Sequence, residues 1–202
     1  NGFLDPNEDD ADALPPLDNH DGHLDSGLFE YLTIYSREPN TDTNGNPRIN
    51  ITSRSQQAQL RTLLQQQSIP QSKINSMLSW GLQSSNLLEF YIRNVNVNQL
   101  SDMDFAAIEP SITTSSSNML YGLININTAS EQVLACIPGI GSNNAPAVVS
   151  YRESNPNRLN SITWLTQAMA ITPQTARTIG QYITSRSYQF TADIAAVGSY
   201  GR

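Results

Sequence analysis

This sequence is short of the residues from which active centres are usually built. Its 202 residues include one cysteine (Cys136), two histidines (His20 and His23) and one lysine (Lys73). A single cysteine excludes an internal disulfide and any cysteine-based zinc site. Cys136 stands among Val133, Leu134 and Ile137, so it is expected to be a small buried apolar residue. There is no Gly-x-Ser-x-Gly, no P-loop, and no histidine beyond the N-terminal stretch to act as a general base. Carboxylate pairs such as Asp102 and Asp104 are spaced as helix caps. The expectation is a protein that is not an enzyme. No run approaches the roughly 18 apolar residues that span a bilayer. The sequence begins at Asn1 rather than methionine, the expectation for a mature or trimmed chain whose upstream signal or anchor segment has been removed.

Charge is also scarce. Only 14% of residues are charged, against 38% hydrophobic, and Asn, Gln, Ser and Thr carry much of the polarity. The net charge of −7 is concentrated at one end. Residues 1–30 hold nine acids, no lysine and no arginine, which leaves nine acids against 11 bases and a charge of +2 on the remainder. The acidic segment also contains Pro6, Pro15 and Pro16 and few apolar residues, so residues 1–28 read as a flexible acidic arm.

Beyond the arm, Phe29–Ser36 is aromatic and β-branched and reads as a strand, followed by a turn-rich stretch, Arg37–Pro47. Ile49-Asn50-Ile51 is a second short extended piece, with Ser53 and Gln56 spaced as a capping box. Helices are expected over Gln56–Gln67, with Leu60, Leu63 and Leu64 on one face, and over Gln71–Trp80, with Ile74, Met77 and Leu78. Leu87–Val97 reads as a helix giving way to a strand, Asp102–Ile108 as a short helix capped by Ser101 or Asp102, and Ser111–Asn118 as a polar loop.

The richest segment is Leu123–Arg152. A short apolar strand leads to Thr128 and Glu131, again spaced as a capping box. Pro138-Gly139-Ile140-Gly141 ends the helix, and Ala145, Val148 and Val149 recur at helical spacing beyond it. Two short helices joined by Gly-x-Gly make a helix-hairpin-helix. Ile49–Ser53 lies 75 residues before Ile124–Thr128 with the caps in register, so the strand–cap–helix–turn–helix unit reads as built twice. Further helices are expected over Asn160–Ala170 and over Gln174–Ser185, with Pro173 in a first turn. Tyr188–Val197 reads as a closing strand.

Three groups could hold a ligand. The amides of Gly139, Ile140 and Gly141 could face a phosphate. However, Ser142, Asn143 and Asn144 follow instead of basic residues, and phosphate neutralisation dominates such affinity. Structural use of the hairpin, with glycines for close helix packing, is therefore expected. Asn40, Asp42 and Asn44 followed by Gly45 resemble the first half of a calcium loop. Yet Ile51 occupies the position of the bidentate acid, and an Asn-Gly turn explains the same residues without a metal. His20 and His23 with Asp18, Asp21 and Asp25 could hold zinc, and Asp5, Asn7, Asp9 and Asp10 are oxygen ligands that suit calcium. A solvated loop for the first group and a flexible or loosely docked arm for the second are the expected readings, since neither spacing matches a regular metal loop.

The NINTA segment, the PGIG hairpin, the helix ending in Tyr151-Arg152 and the second, Pro-started hairpin are together similar to helix-hairpin-helix modules of bacterial competence DNA receptors. The chain as a whole, over residues 29–197, resembles the K-type minor pseudopilin of type II secretion systems. That family shows a YLTVYS-like strand (here Tyr31–Ser36), an INxNTA segment (here Ile124–Ala129), helical hairpins and a final strand. Arg48–Ile51 resembles a variant in which the Asn motif occurs twice. The resemblance implies an α+β fold with a pilin-like small antiparallel sheet and a helical domain of tandem helix-hairpin-helix units. On this reading the chain divides into an arm (1–28), an α+β part (29–122), tandem hairpins (123–187) and a closing strand with tail (188–202). The resemblance also implies a periplasmic place at a pseudopilus tip and an inner-membrane anchor through an N-terminal helix absent from this chain. The implied partners are other minor pseudopilins and a secreted protein substrate, with no nucleic acid. Members of the family bind calcium through acidic loops, without a ligand pattern that maps onto this sequence. The competing expectation is an envelope-associated helix-hairpin-helix module that binds DNA.

Overall fold

The structure, a computed structural model, describes residues 31–188 and Phe190. The arm, its carboxylates and histidines, and most of the expected closing strand lie outside the described residues. Tyr31–Ile34 belong to a separate unit from the rest and hold no strand. The expected strand over Phe29–Ser36 is thus not found in its described part, and pairing begins one residue later, at Arg37.

From there the chain is mixed α and β. Its elements in order are β1 (Arg37–Pro39), β2 (Ile49–Asn50), α1 (Gln57–Gln66), α2 (Gln71–Gln83), α3 (Leu87–Asn98), α4 (Asp102–Ile108), β3 (Ile112–Thr113), β4 (Met119–Tyr121), β5 (Ile124–Asn125), α5 (Glu131–Ala135), α6 (Gly141–Ser154), α7 (Leu165–Ala168), α8 (Pro173–Ile179) and β6 (Ile183–Thr184). A 3-10 turn, Ile162–Trp164, leads directly into α7. The strands form three two-stranded sheets: β1–β4 is antiparallel, whereas β2–β3 and β5–β6 are parallel.

The two parallel pairs are copies of one another. Ile49 and Asn50 face Ile112 and Thr113, as Ile124 and Asn125 face Ile183 and Thr184. In each copy the next amide continues the ladder: Ile51 N–H donates to the Thr113 carbonyl at 2.9 Å, and Ile126 N–H to the Thr184 carbonyl at 3.0 Å. Asn50 and Asn125 each turn the chain by accepting the amide two residues on, at 2.9 Å. Thr113 and Thr184 do the same through their hydroxyls, at 3.1 and 3.3 Å. Such Asx and hydroxyl turns satisfy a backbone donor just where the strand ends. Between its two strands each copy holds four helices, α1–α4 in the first and α5–α8 in the second, with α1 packed on α2 and α5 on α6. The internal repeat expected from the Ile-Asn-Ile echo is present in the fold.

Helix starts follow local chemistry. Asn86, Ser101 and Thr172 accept the amides of Glu89, Asp104 and Thr175, and Pro173 fills the first turn of α8. Two expected caps are corrected. Ser130, not Thr128, caps α5 by accepting Val133 N–H, because the Asn125 turn still occupies residues 127–129. Ser53 makes no side-chain cap bond, and Gln56 reaches back instead to the amide of Asn50.

Three extents also differ. Leu87–Val97 is helical throughout, because Leu88, Phe90, Tyr91 and Ile92 are all buried as one core-spanning helix. The last helix stops at Ile179, since Ile183 and Thr184 are drawn into pairing with β5. Within the polar segment Ser111–Asn118, Ile112 and Thr113 are buried and paired. Cys136 is exposed rather than buried: Leu134 and Ile137 take the inward positions of the short α5 segment and leave it facing out.

One apolar core runs through both copies, from Leu60, Leu64, Ile74 and Met77 to Leu134, Ala145, Val148 and Ile179. Within it the Phe105 ring packs at a tilt against Phe90 and Tyr91, with centroids 6.4 and 5.0 Å away. The copies are locked where α3 meets α8. Asn86 Nδ2 donates to the Arg177 carbonyl at 2.9 Å, and a Cβ on Gly180 would stand 2.1 Å from Asn86 Oδ1. No larger residue fits there.

Candidate functional site

The hairpin between α5 and α6 carries the residues singled out as a possible phosphate grip. Its backbone turns through Gly139 at φ 94° and Gly141 at φ 66°, in the left-handed region where a side chain is strained. Two of its three amides are already committed. Ile140 N–H and Gly141 N–H both donate to the Ile137 carbonyl, at 3.1 and 3.2 Å. Ile140 itself is buried. The glycines serve different ends. A Cβ on Gly139 would meet Ile179 Cγ1 at 2.8 Å, so this glycine lets the hairpin touch α8. A Cβ on Gly141 would meet nothing within 4 Å, so there the requirement is conformational only.

The nearest arginine in sequence is also committed. Arg152, at the end of α6, turns back onto the NINTA segment, and its Nη1 donates to the carbonyls of Ala129 at 2.5 Å and Ile126 at 3.2 Å. Asn127 completes this anchor. Its amide donates to the carbonyls of Leu159 and Ser185, at 2.9 and 3.1 Å, and its oxygen accepts from the Trp164 indole at 2.8 Å. Trp164 stacks on Tyr151, centroids 5.6 Å apart and nearly parallel. The equivalent place in the first copy is filled differently. Gly81 of α2 lies against the Ile51 carbonyl, where a Cβ would stand at 3.0 Å, and Gln57 Nε2 donates to that oxygen at 3.1 Å.

A second cluster surrounds Glu89, whose carboxylate is fully buried in α3. It accepts from Arg93 at 2.7 Å, from Arg177 of α8 at 2.9 Å, and from the Ser85 amide and hydroxyl at 2.8 and 2.7 Å. Burial alone would raise its pKa. The bonds from Arg177, Ser85 and Arg93 together outweigh it and bring the value to about 2. Arg93 also lies 5.0 Å over the Trp80 ring.

Of the expected calcium residues, Asp42 is taken up by backbone amides of its own turn, whereas the Asn40 side-chain oxygen is buried without a hydrogen-bond partner. Asp42 Oδ1 accepts the amides of Asn44 and Asn46, both at 2.8 Å, and Gly45 completes the bend at φ 84°. The Asn46 amide foremost holds the Asp42 carboxyl below the usual range, against a smaller effect of burial. Asn40 points its amide at the carbonyls of Ser115 and Ser117, at 3.2 and 2.8 Å. The geometry is that of an Asx turn closing a loop, bridged from Thr41 to Pro47. Among the described residues, no three His, Cys, Asp or Glu come together. His20, His23, Asp18, Asp21 and Asp25 fall outside them, as do Asp5, Asn7, Asp9 and Asp10.

Sequence reasoning missed the groups at the junction of the copies: Glu38, Arg48, Glu89, Glu109, Arg177 and Arg186. One signal was available. A carboxylate inside an apolar helical run, Leu87-Leu88-Glu89-Phe90, is costly unless paired, and so marks a buried ion pair.

The helix-hairpin-helix motif family matches residues 121–184, the second copy. No curated protein and no solved structure is found to match the chain.

Proposed function

We propose that the chain is a non-enzymatic assembly subunit, a K-type minor pseudopilin that takes part in protein export by type II secretion. One observation carries this choice over the nucleic-acid reading: two of the hairpin's three amides, and the nearest arginine in sequence, are bonded inside the fold. Ile140 and Gly141 bond to Ile137, and Arg152 bonds to Ile126 and Ala129. A hairpin so arranged serves as a packing unit. The resemblance of Tyr31–Ser36 and Ile124–Ala129 to the pseudopilin pattern supplies the positive side of the reading.

On this reading the chain works through surface complementarity at the tip of a periplasmic fibre. Its partners are other minor pseudopilins and a secreted protein, and an upstream helix provides the inner-membrane anchor. No helix among the described residues is long and apolar enough to cross a membrane. The test is sedimentation of this chain with the periplasmic domains of minor pseudopilins from the same organism. A stoichiometric complex is expected, and its absence at concentrations well above micromolar contradicts the reading.

The match to the helix-hairpin-helix motif family favours a second reading, an envelope-associated DNA-binding module. That reading requires affinity that falls steeply with salt, as phosphate contacts release counterions.

A further inference from the structure

A cleft of about 460 Å³ opens where the two copies meet. Thr113 and Thr184, equivalent in the repeat, both line it, as do Leu87 and Ile162. Glu38, Arg48, Glu109 and Arg186 also line it, two carboxylates and two guanidiniums.

These groups are not equally partnered. Glu38 is neutralised by Arg48 at 3.4 Å, and its other oxygen accepts from the Thr184 hydroxyl at 3.2 Å. Arg48 is further fixed by donating to the Thr41 carbonyl at 2.9 Å. Glu109 is buried, with Oε1 accepting the Ile162 amide at 3.4 Å and Oε2 bonded to nothing. Burial pushes its carboxyl up, against the opposing pull of Ser161, Arg186, the Ile162 amide and Arg48. Arg186 is half-buried. Its backbone amide is held by Thr184, while its guanidinium makes no hydrogen bond or ion pair among the described residues. The cleft therefore holds, in the Arg186 guanidinium, a planar fork of donors that makes no hydrogen bond of its own among the described residues, with the Glu109 charge as its electrostatic neighbour.

We propose that this cleft binds a small monocarboxylate, with the carboxylate on the Arg186 guanidinium and a short apolar chain against Leu87, Ile162 and Ile183. A guanidinium matches a carboxylate bidentately, which favours this group over a halide-like ion. An ammonium would face the like charge of Arg186. The volume lies within the range of small-molecule sites. This inference stands apart from the assembly reading and holds or falls without it.

The test is thermal melting of the whole chain with hexanoate, butyrate, hexylamine and inorganic phosphate at constant ionic strength. Amide shifts of Thr113, Thr184 and Arg186 are followed by NMR in parallel. Hexanoate should raise the melting temperature saturably, more than butyrate does, since binding to the native state alone stabilises it. The shifted amides should cluster at those three residues. Arg186→Gln should weaken hexanoate about tenfold or more, whereas Arg158→Gln, outside the cleft, should leave it unchanged. The proposal is overturned by equal hexanoate affinity in Arg186→Gln, by a response to hexylamine or phosphate instead, or by no response of the wild type to any carboxylate. Should Arg186→Gln fail to fold, the wild-type amide shifts decide: shifts away from the cleft overturn it.

Discussion

Arg152 holds the carbonyl oxygen of Ala129 at 2.5 Å, and the same guanidinium nitrogen reaches that of Ile126 at 3.2 Å. The arginine that ends the hairpin's second helix thus braces the strand that precedes its first. The chain closes on itself across the whole unit, and the residue best placed in sequence to neutralise a phosphate is withdrawn from solvent chemistry.

Replacing Arg152 should therefore cost stability. Arg152→Met keeps much of the apolar stem but strands two carbonyls, and should cost about 2–3 kcal/mol. Arg152→Lys, which lacks the planar fork, should fall between. Denaturant unfolding of the three proteins checks the order. Equal stability would show that the two bonds contribute nothing.

The two hairpin glycines should respond unequally. Gly141→Ala meets only the strain of its positive φ, about 1 kcal/mol. Gly139→Ala adds a collision with Ile179, which α8 holds in the core, and should cost about 2–4 kcal/mol in all. Equal losses would sink the packing role assigned to Gly139.

Acid should loosen the lock between the copies. The folded pKa of Glu89, about 2, lies below its ordinary 4.5. Its contribution is complete above 4.5 and is lost as pH falls toward 2. At pH 7 it is on the order of 3 kcal/mol. The stability gap between wild type and Glu89→Gln should accordingly narrow as pH drops from 4.5 toward about 2. A gap independent of pH would mean that the carboxylate is not the stabilising species.

Glu109 should behave in the opposite sense. Its folded pKa is raised, so its ionisation costs stability as pH rises above 4.5 and costs nothing below. Glu109→Gln should raise the melting temperature at pH 8 and change it less at pH 4. A loss of stability at pH 8 would show that the ionised form is satisfied in the fold.

The repeat was legible because its signal is local. Ile49-Asn50-Ile51 and Ile124-Asn125-Ile126 carry both the strand and the turn-forming Asn, and hairpin helices such as α1 and α2 show their apolar faces within a few residues. Their strand partners were not legible. Ile112-Thr113 sits in a run of serines and threonines, and Ile183-Thr184 continues a helical pattern, so only pairing over long sequence distance makes them strands. The helix starts went wrong where two local options competed: Asn125 took the backbone donors that a Thr128 cap would have used. The calcium pattern at Asn40, Asp42 and Asn44 was ambiguous in principle, since an Asx turn and a metal loop draw on the same residue types. The cleft was invisible, since its residues come from both copies and meet only after folding.

The claim at the centre of this account is that the Gly139–Gly141 hairpin is a packing unit, with the Ile140 and Gly141 amides and Arg152 bonded inside the fold rather than offered to a phosphate. The most direct test is fluorescence anisotropy of labelled duplex DNA titrated with the chain at about 50 and about 200 mM salt. The account predicts no saturable binding at either concentration. Tight binding at low salt that falls by orders of magnitude at high salt, and is abolished by Gly141→Ala in a folded protein, would contradict it.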